Sequence, residues 1–247
     1  MSAVAPPRRI PVAVPAAIAL AWAIAVAAEA SGAASALHHD RLLEGGPPDW
    51  AALLLFLGSW QLMTAAMMLP SSLPLVRLFW ATAQRRQALA AFLGGYALVW
   101  SGFGVVAFAG DGFLHALVNA TPALEERPWL IGGGVLVLAG AFQFTKLKEA
   151  CLEQCRHPGV FLMRKYRRGT GPAFRLGRDH GVFCLGCCWA LMLLMFAAGF
   201  ANLAWMAALA TLTAYEKIGR QGPFVARAAG VALLALGIVV LGGGLLA

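Results

Sequence analysis

The chain has 247 residues, of which 60% are hydrophobic and only 12% are charged. Soluble domains carry about 25% charged residues, so this composition excludes a globular fold that covers its core with charge. A net charge of +8 would favour nucleic acid as the partner of a soluble protein. Basic residues also collect in the cytoplasmic loops of membrane proteins, so we expect the lipid bilayer as a partner and no nucleic acid.

Apolar runs of the roughly 20 residues that a bilayer requires recur along the chain. They predict an all-α fold, a polytopic transmembrane helical bundle that forms a single integral membrane domain over residues 1–247. The six predicted spans cover about 10–30, 50–70, 89–110, 129–147, 183–213 and 224–246. The first is interpreted as a transmembrane helix, although a cleaved signal peptide would have a similar pattern. Pro70 is expected to end the second span, and the long fifth span could be kinked at Gly199.

The connecting segments predict the orientation. Residues 148–182 form a strongly basic, cysteine-containing loop in this topology, and three arginines follow the second span. The positive-inside rule therefore places both of these loops and both termini in the cytoplasm. Lys217 and Arg220 then fall on the external side, and Glu216 with Lys217 is expected to be a simple charged end of the fifth span.

The chemistry is concentrated in HGVFCLGCCWALMLLM, residues 180–195. Five cysteines, an odd number, all lie between Cys151 and Cys188. Such a cluster is more typical of metal or thiol chemistry than of a disulfide scaffold. At about 100° per residue, a helix would carry all the soft ligands of this segment on one face. They are His180, Cys184, Cys187, Cys188, Met192 and Met195.

Two further sulfur pairs could reach the same region. Cys151 and Cys155 are four residues apart and share a face if their segment is helical. Met63 and Met67 share a face of the second span, and Met67 lies at a depth similar to that of Cys187. Three helices could then direct sulfur to one region.

Thiolate and thioether ligands favour Cu(I), whereas zinc takes tetrahedral cysteine and histidine sets. Methionine in the set therefore favours copper, without excluding zinc. A single buried methionine or cysteine more often only packs a core, but a cluster of five cysteines favours a metal site. His38 and His39, with Asp40, form a weaker candidate for metal entry or exit in the first external loop.

Three segments carry a resemblance: WQLMTAAMMLPSSLP, FTKLKEACLEQCRHPGVFL and HGVFCLGCCWALMLLMFAAGFANLAWM. They resemble the bacterial family of predicted metal-binding integral membrane proteins. The resemblance implies a protein of the bacterial inner membrane that handles copper, including supply to copper oxidases, with no established enzyme activity. Ala201 departs from a methionine expected there, and Lys146 from a proline. The matching positions are Met67, Met68, Pro70, Cys151, Cys155, His180, Cys184, Cys187, Cys188, Trp189, Met192, Asn202, Trp205 and Met206.

The leading hypothesis is a protein that captures Cu(I) with these thiolates at its cytoplasmic face. Methionines deeper in the bilayer would offer weaker sites, because a permeating ion must enter and also leave. A copper chaperone or a copper oxidase would be its partner. A thiol–disulfide redox protein that uses Cys184 and Cys187, and a non-catalytic membrane subunit, are the alternatives. The pattern leaves open the identity of the metal, the direction of transport and the oligomeric state.

Overall fold

A computed structural model describes residues 10–32, 49–197 and 202–246. The described residues form ten α-helices. They are α1 Ala13–Ala30, α2 Asp49–Ala83, α3 Arg86–Asn119, α4 Pro122–Glu125, α5 Pro128–Phe142, α6 Lys146–Arg156, α7 Pro158–Lys165, α8 Thr170–Ala197, α9 Leu203–Ile218 and α10 Gly222–Leu246.

Five of these helices, α1, α2, α3, α8 and α10, are long and apolar enough to cross a membrane. The helices α5 and α6 make a sixth candidate if they count as one span, which is bent by 64° where they meet. The predicted all-α architecture with about six membrane spans is therefore confirmed.

The second helix does not end at Pro70 as predicted but continues through Pro70 and Pro74 to Ala83. A proline inside a helix has no N–H to offer the carbonyl four residues earlier, which for Pro70 is the carbonyl of Ala66. The indole N–H of Trp22 in α1 donates to this carbonyl at 3.0 Å. The neighbouring helix thus satisfies the backbone group that the proline leaves free, as a membrane interior demands.

The predicted basic loop at 148–182 is mostly helical. It contains most of α6, all of α7 and the first turns of α8, which begins at Thr170 rather than near residue 183. The Thr145 hydroxyl caps α6 by accepting from the backbone N–H of Lys148 at 3.2 Å. Hydropathy finds the apolar part of a helix, and it missed these turns because they are rich in basic residues.

The predicted fifth span at 183–213 is two helices. α8 ends at Ala197, and α9 runs from Leu203 to Ile218; Gly199, the predicted kink, lies outside the described residues. Near the end of α9 the Lys217 ammonium lies 3.1 Å from the sulfur of Cys184, in the middle of α8. The chain therefore folds back, and α9 returns along α8 instead of extending it.

Aromatic contacts show that α2 and α3 run antiparallel. The rings of Phe56 and Phe108 lie 5.0 Å apart, and the Trp60 indole donates to the Trp100 carbonyl at 2.9 Å. From Phe56 to Trp60 in α2, the contacted residue in α3 changes from Phe108 to Trp100, so the two helices run in opposite directions. The short turn between Ala83 and Arg86 joins these two helices at one end of the bundle.

The helices α3 and α8 run parallel and approach closely through glycine. A Cβ at Gly177 would collide with the backbone of Phe92, and one at Gly181 would meet Val99. Gly95 lies equally close to the α8 backbone. Small residues are what lets membrane helices pack at this distance, and this packing fixes the position of the cysteines on α8.

The last helix is antiparallel to α5. Gly140 faces Gly230, and Trp129 packs on Gly244. Since α5 starts a few residues after α3 ends, the end of α10 lies at the opposite end of the bundle from the α2–α3 turn. The predicted placement of these two parts on one side does not hold in this arrangement, because residues 183–213 are not one span and the chain returns along α9.

Candidate metal centre

Three thiols lie on the buried face of α8. Cys184, Cys187 and Cys188 are all 0% exposed, and all five cysteines of the chain are free thiols. The thiols of Cys187 and Cys188 donate to the backbone carbonyl of Cys184, at 3.1 Å and 2.9 Å. The spacing of three and four residues brings them to the same turn of the helix.

Met68 of α2 places a thioether sulfur next to this turn of α8. The Cys188 thiol lies 3.5 Å from the thioether sulfur of Met68, which is fully buried. If metal–sulfur bonds are about 2.3 Å long, as for zinc thiolates, two sulfurs at this separation subtend about 100° at a shared metal. That angle is close to tetrahedral, so the pair could bind one soft ion.

A buried ammonium lies beside the same sulfurs. Lys217 is 4% exposed, and its Nζ lies 3.1 Å from the Cys184 sulfur, 3.8 Å from the Met68 sulfur and 3.2 Å from the Ser71 hydroxyl. The prediction that Lys217 belongs to a simple charged helix end was wrong, because α9 folds back into the bundle and buries this side chain. We call Met68, Cys184, Cys188 and Lys217 the sulfur–ammonium cluster.

The carboxylate next to this lysine is already engaged. Glu216 pairs with Lys148 of α6 at 2.6 Å, and both side chains are buried. Arg156 donates to the backbone carbonyls of Glu216 and Gly219, at 2.7 Å and 2.8 Å. In the described part of the chain no carboxylate forms an ion pair with Lys217, so the thiol sulfurs are its nearest potential anions.

His180 lies one turn before Cys184 in an aromatic box. Its ring stacks on Tyr96 at 5.6 Å and on Phe92 at 6.2 Å, and its Nε2 lies 3.0 Å from the Ser72 hydroxyl. The Tyr96 hydroxyl lies 3.2 Å from the Cys184 sulfur. His180 thus packs against a residue that contacts the cluster, and its own polar contact is with Ser72.

The cysteines of α6 also reach α8, at a neighbouring position. The sulfur of Cys151 lies so close to Gly186 that a Cβ there would stand 2.6 Å away. Cys155 is half-buried, and its thiol is close enough to that of Cys187 for the two to interact electrostatically. These thiols form a second sulfur pair beside the sulfur–ammonium cluster.

The four methionines of the predicted metal set, Met63, Met67, Met192 and Met195, are 0–3% exposed. Within the described residues none of them hydrogen-bonds with a thiol. Met68 supplies that contact instead, because neighbouring positions on a helix point about 100° apart. His38 and His39 lie outside the described residues.

A family model described as "PpoB2: Copper chaperone" matches residues 57–240. The chain belongs to this copper chaperone family. The resemblance inferred from the sequence motifs is thereby confirmed. No curated protein and no solved structure matches the chain.

The side chains of this copper chaperone family member suit a soft ion. Among the described residues, no three histidine, cysteine, aspartate or glutamate side chains are grouped closely enough to hold a metal ion. The Met68 thioether beside these thiols is a ligand type that favours Cu(I). The sequence does contain a signal that could have pointed to Lys217 as a site residue. Its charge directly follows an apolar run, and ionisable residues within membranes commonly mark functional sites.

Proposed function

We propose that this protein binds Cu(I) as cargo at the sulfur–ammonium cluster and delivers it to a copper enzyme. The observation that carries the proposal is the Cys188–Met68 sulfur pair, 3.5 Å apart and fully buried, with Cys184 one turn away. Thiolate and thioether donors together favour Cu(I) over zinc. The description of the family as copper chaperones supports delivery to a recipient protein.

We also propose that the copper enters from the cytoplasm, by way of the α6 cysteines. The α2–α3 turn and the segment between α7 and α8 both carry arginines, which favours a cytoplasmic position for this end of the bundle. The Cys151 sulfur lies against Gly186 of α8, and Cys155 interacts with Cys187, so an ion could pass from α6 to α8 by exchange between thiolates. Met63, Met67, Met192 and Met195 then offer weaker sites further along.

The burial of the thiols opposes the alternative of a disulfide exchange enzyme. Such an enzyme needs a thiolate that a partner disulfide can reach. Cys184 and Cys187 are both 0% exposed, whereas a small ion could reach them after local movement of the helices.

The test is metal analysis of the full chain purified in detergent after growth in copper and, separately, in zinc. We expect close to stoichiometric copper that Cys184→Ser/Cys188→Ser abolishes and Met68→Leu strongly reduces. Met206→Leu is the matched control, because Met206 is also buried but is not among the proposed ligands. Retention of copper by the double cysteine variant, or equal loss in the two methionine variants, would contradict this site.

A further inference from the structure

A strongly basic cleft lies at one end of the bundle, away from the sulfur–ammonium cluster. It has a volume of about 540 Å³ and lies between the α2–α3 turn and the segment that joins α7 to α8. Its lining includes Arg85, Arg167 and Arg168 together with the hydroxyl-bearing Thr82 and Thr170. Three candidate membrane spans, α2, α3 and α8, end or begin at this cleft.

The positive charge of the cleft is not compensated by the protein. No acidic residue lines it, and no carboxylate of the described residues forms an ion pair with its three arginines. The nearest acidic residue in the following sequence, Asp179, already pairs with Lys165 at 2.7 Å and with Arg178 at 2.9 Å. Residues 50–110 contain no aspartate or glutamate. An anion from outside the chain would therefore relieve the repulsion among these arginines.

The backbone adds hydrogen-bond donors to the same cleft. α3 begins after Arg85, whose side chain makes no capping hydrogen bond, and α8 begins at Thr170. The first N–H groups of a helix have no partner within it, and its N-terminus carries partial positive charge. Gly169, with φ +116°, makes the turn into α8 with a conformation that other residues rarely adopt. Two helix N-termini thus reinforce the three arginines.

We propose that this cleft binds a phosphate group, supplied by the headgroup of an anionic phospholipid. Arginine pairs with phosphate oxygens through two parallel hydrogen bonds, and helix N-termini bind phosphate through their free N–H groups. The position at the ends of three candidate spans puts the cleft where lipid headgroups lie. A bound lipid there would tie the α2–α3 turn to the start of α8, and so would stabilise the helix that carries the thiols. This inference does not depend on the proposed copper site.

The test uses the full chain in nanodiscs of phosphatidylcholine with and without phosphatidylglycerol, followed by native mass spectrometry of the retained lipid. Arg85→Gln/Arg167→Gln/Arg168→Gln is expected to bind phosphatidylglycerol roughly a hundredfold more weakly, since each basic side chain contributes separately. The matched control removes the same charge outside the cleft, from exposed arginines of the basic surface and of the α9–α10 turn. It consists of Arg164→Gln, Arg175→Gln and Arg220→Gln.

A second arm distinguishes the lipid from free phosphate. Inorganic phosphate is titrated against the protein in detergent without added lipid, and binding is followed by thermal stability. Stabilisation by inorganic phosphate that the cleft variant loses would support the site with a soluble phosphate as its ligand. Equal effects of the cleft and control variants, or no loss in either arm, would overturn the proposal. Arg168→Gln alone repeats both arms in case the triple variant does not fold.

Discussion

Replacing Lys217 by methionine tests whether the buried ammonium helps the protein to hold copper. A metal-bound thiol is deprotonated, so Cu(I) held by the thiolates of Cys184 and Cys188 carries a net negative charge. The Lys217 ammonium, 3.1 Å from the Cys184 sulfur, would make the assembly neutral. A buried charge without a counterion is strongly unfavourable, so Lys217→Met should weaken the binding of Cu(I).

The magnitude follows from the distance. Two unit charges about 4 Å apart interact by about 4 kcal/mol at an effective dielectric constant of about 20, which corresponds to roughly a thousandfold in Kd. Lys217 is 4% exposed, so solvent does not screen this interaction. Local rearrangement would reduce it, and we expect a loss between about tenfold and a thousandfold.

The same substitution should leave the fold intact. Methionine has a similar length, and no carboxylate of the described residues pairs with Lys217, so the substitution leaves no unpaired carboxylate behind. The assay is competition for Cu(I) with a chromophoric chelator, with a thermal unfolding curve of each metal-free protein. Lys146→Met, at an exposed position of α6, is the control and should change neither quantity. Equal or tighter binding of Cu(I) by Lys217→Met would refute the argument from charge.

Three other predictions concern stability. Gly95→Ala places a Cβ against a backbone carbonyl of α8 and should lower the free energy of unfolding by about 1–3 kcal/mol, measured by thermal unfolding in detergent. Gly94→Ala, where the added Cβ meets open space, should cost nothing. Equal melting temperatures of the two variants would contradict the close packing. Glu216→Gln leaves the buried Lys148 ammonium without its partner and should lower the free energy of unfolding by about 3–5 kcal/mol. Lys148→Met/Glu216→Leu should recover most of this loss. No recovery in the double variant would contradict the broken ion pair as the cause of the destabilisation. Cu(I) in excess should raise the melting temperature, by the equivalent of about 2.7 kcal/mol at a hundred times Kd. Cys184→Ser should abolish that rise. Stabilisation of this variant by Cu(I) would indicate that the ion binds elsewhere.

The membrane helices could be predicted from the sequence because lipid requires long apolar runs. Their ends could not be, since these depend on tertiary contacts. Pro70 ends a helix by local rules, but Trp22 of another helix satisfies the carbonyl that it leaves free. α8 begins at Thr170, in a basic stretch that precedes the apolar run predicted to start near residue 183.

The candidate site could be predicted where it depends on one helix. The spacing of Cys184, Cys187 and Cys188 places their thiols on one turn by helix geometry alone. The contact with Met68 could not be derived, because the choice between Met67 and Met68 depends on how α2 is rotated toward α8. Depth along the membrane, estimated from residue counts, cannot distinguish two neighbouring residues that point about 100° apart.

The return of the chain along α9 explains why the charged residues were misplaced. Glu216 and Lys217 look like the solvated end of a long span, because the apolar run before them is continuous in sequence. In the structure both side chains are buried, and each contacts a different neighbouring helix. Glu216 pairs with Lys148 of α6, and Lys217 contacts Cys184 of α8. Consecutive residues on α9 thus link α6, which carries two of the thiols, to α8, which carries the other three. If Cu(I) binds at the α8 thiols as proposed, the change of charge would act directly on Lys217, and α9 would connect that change to α6 through Glu216.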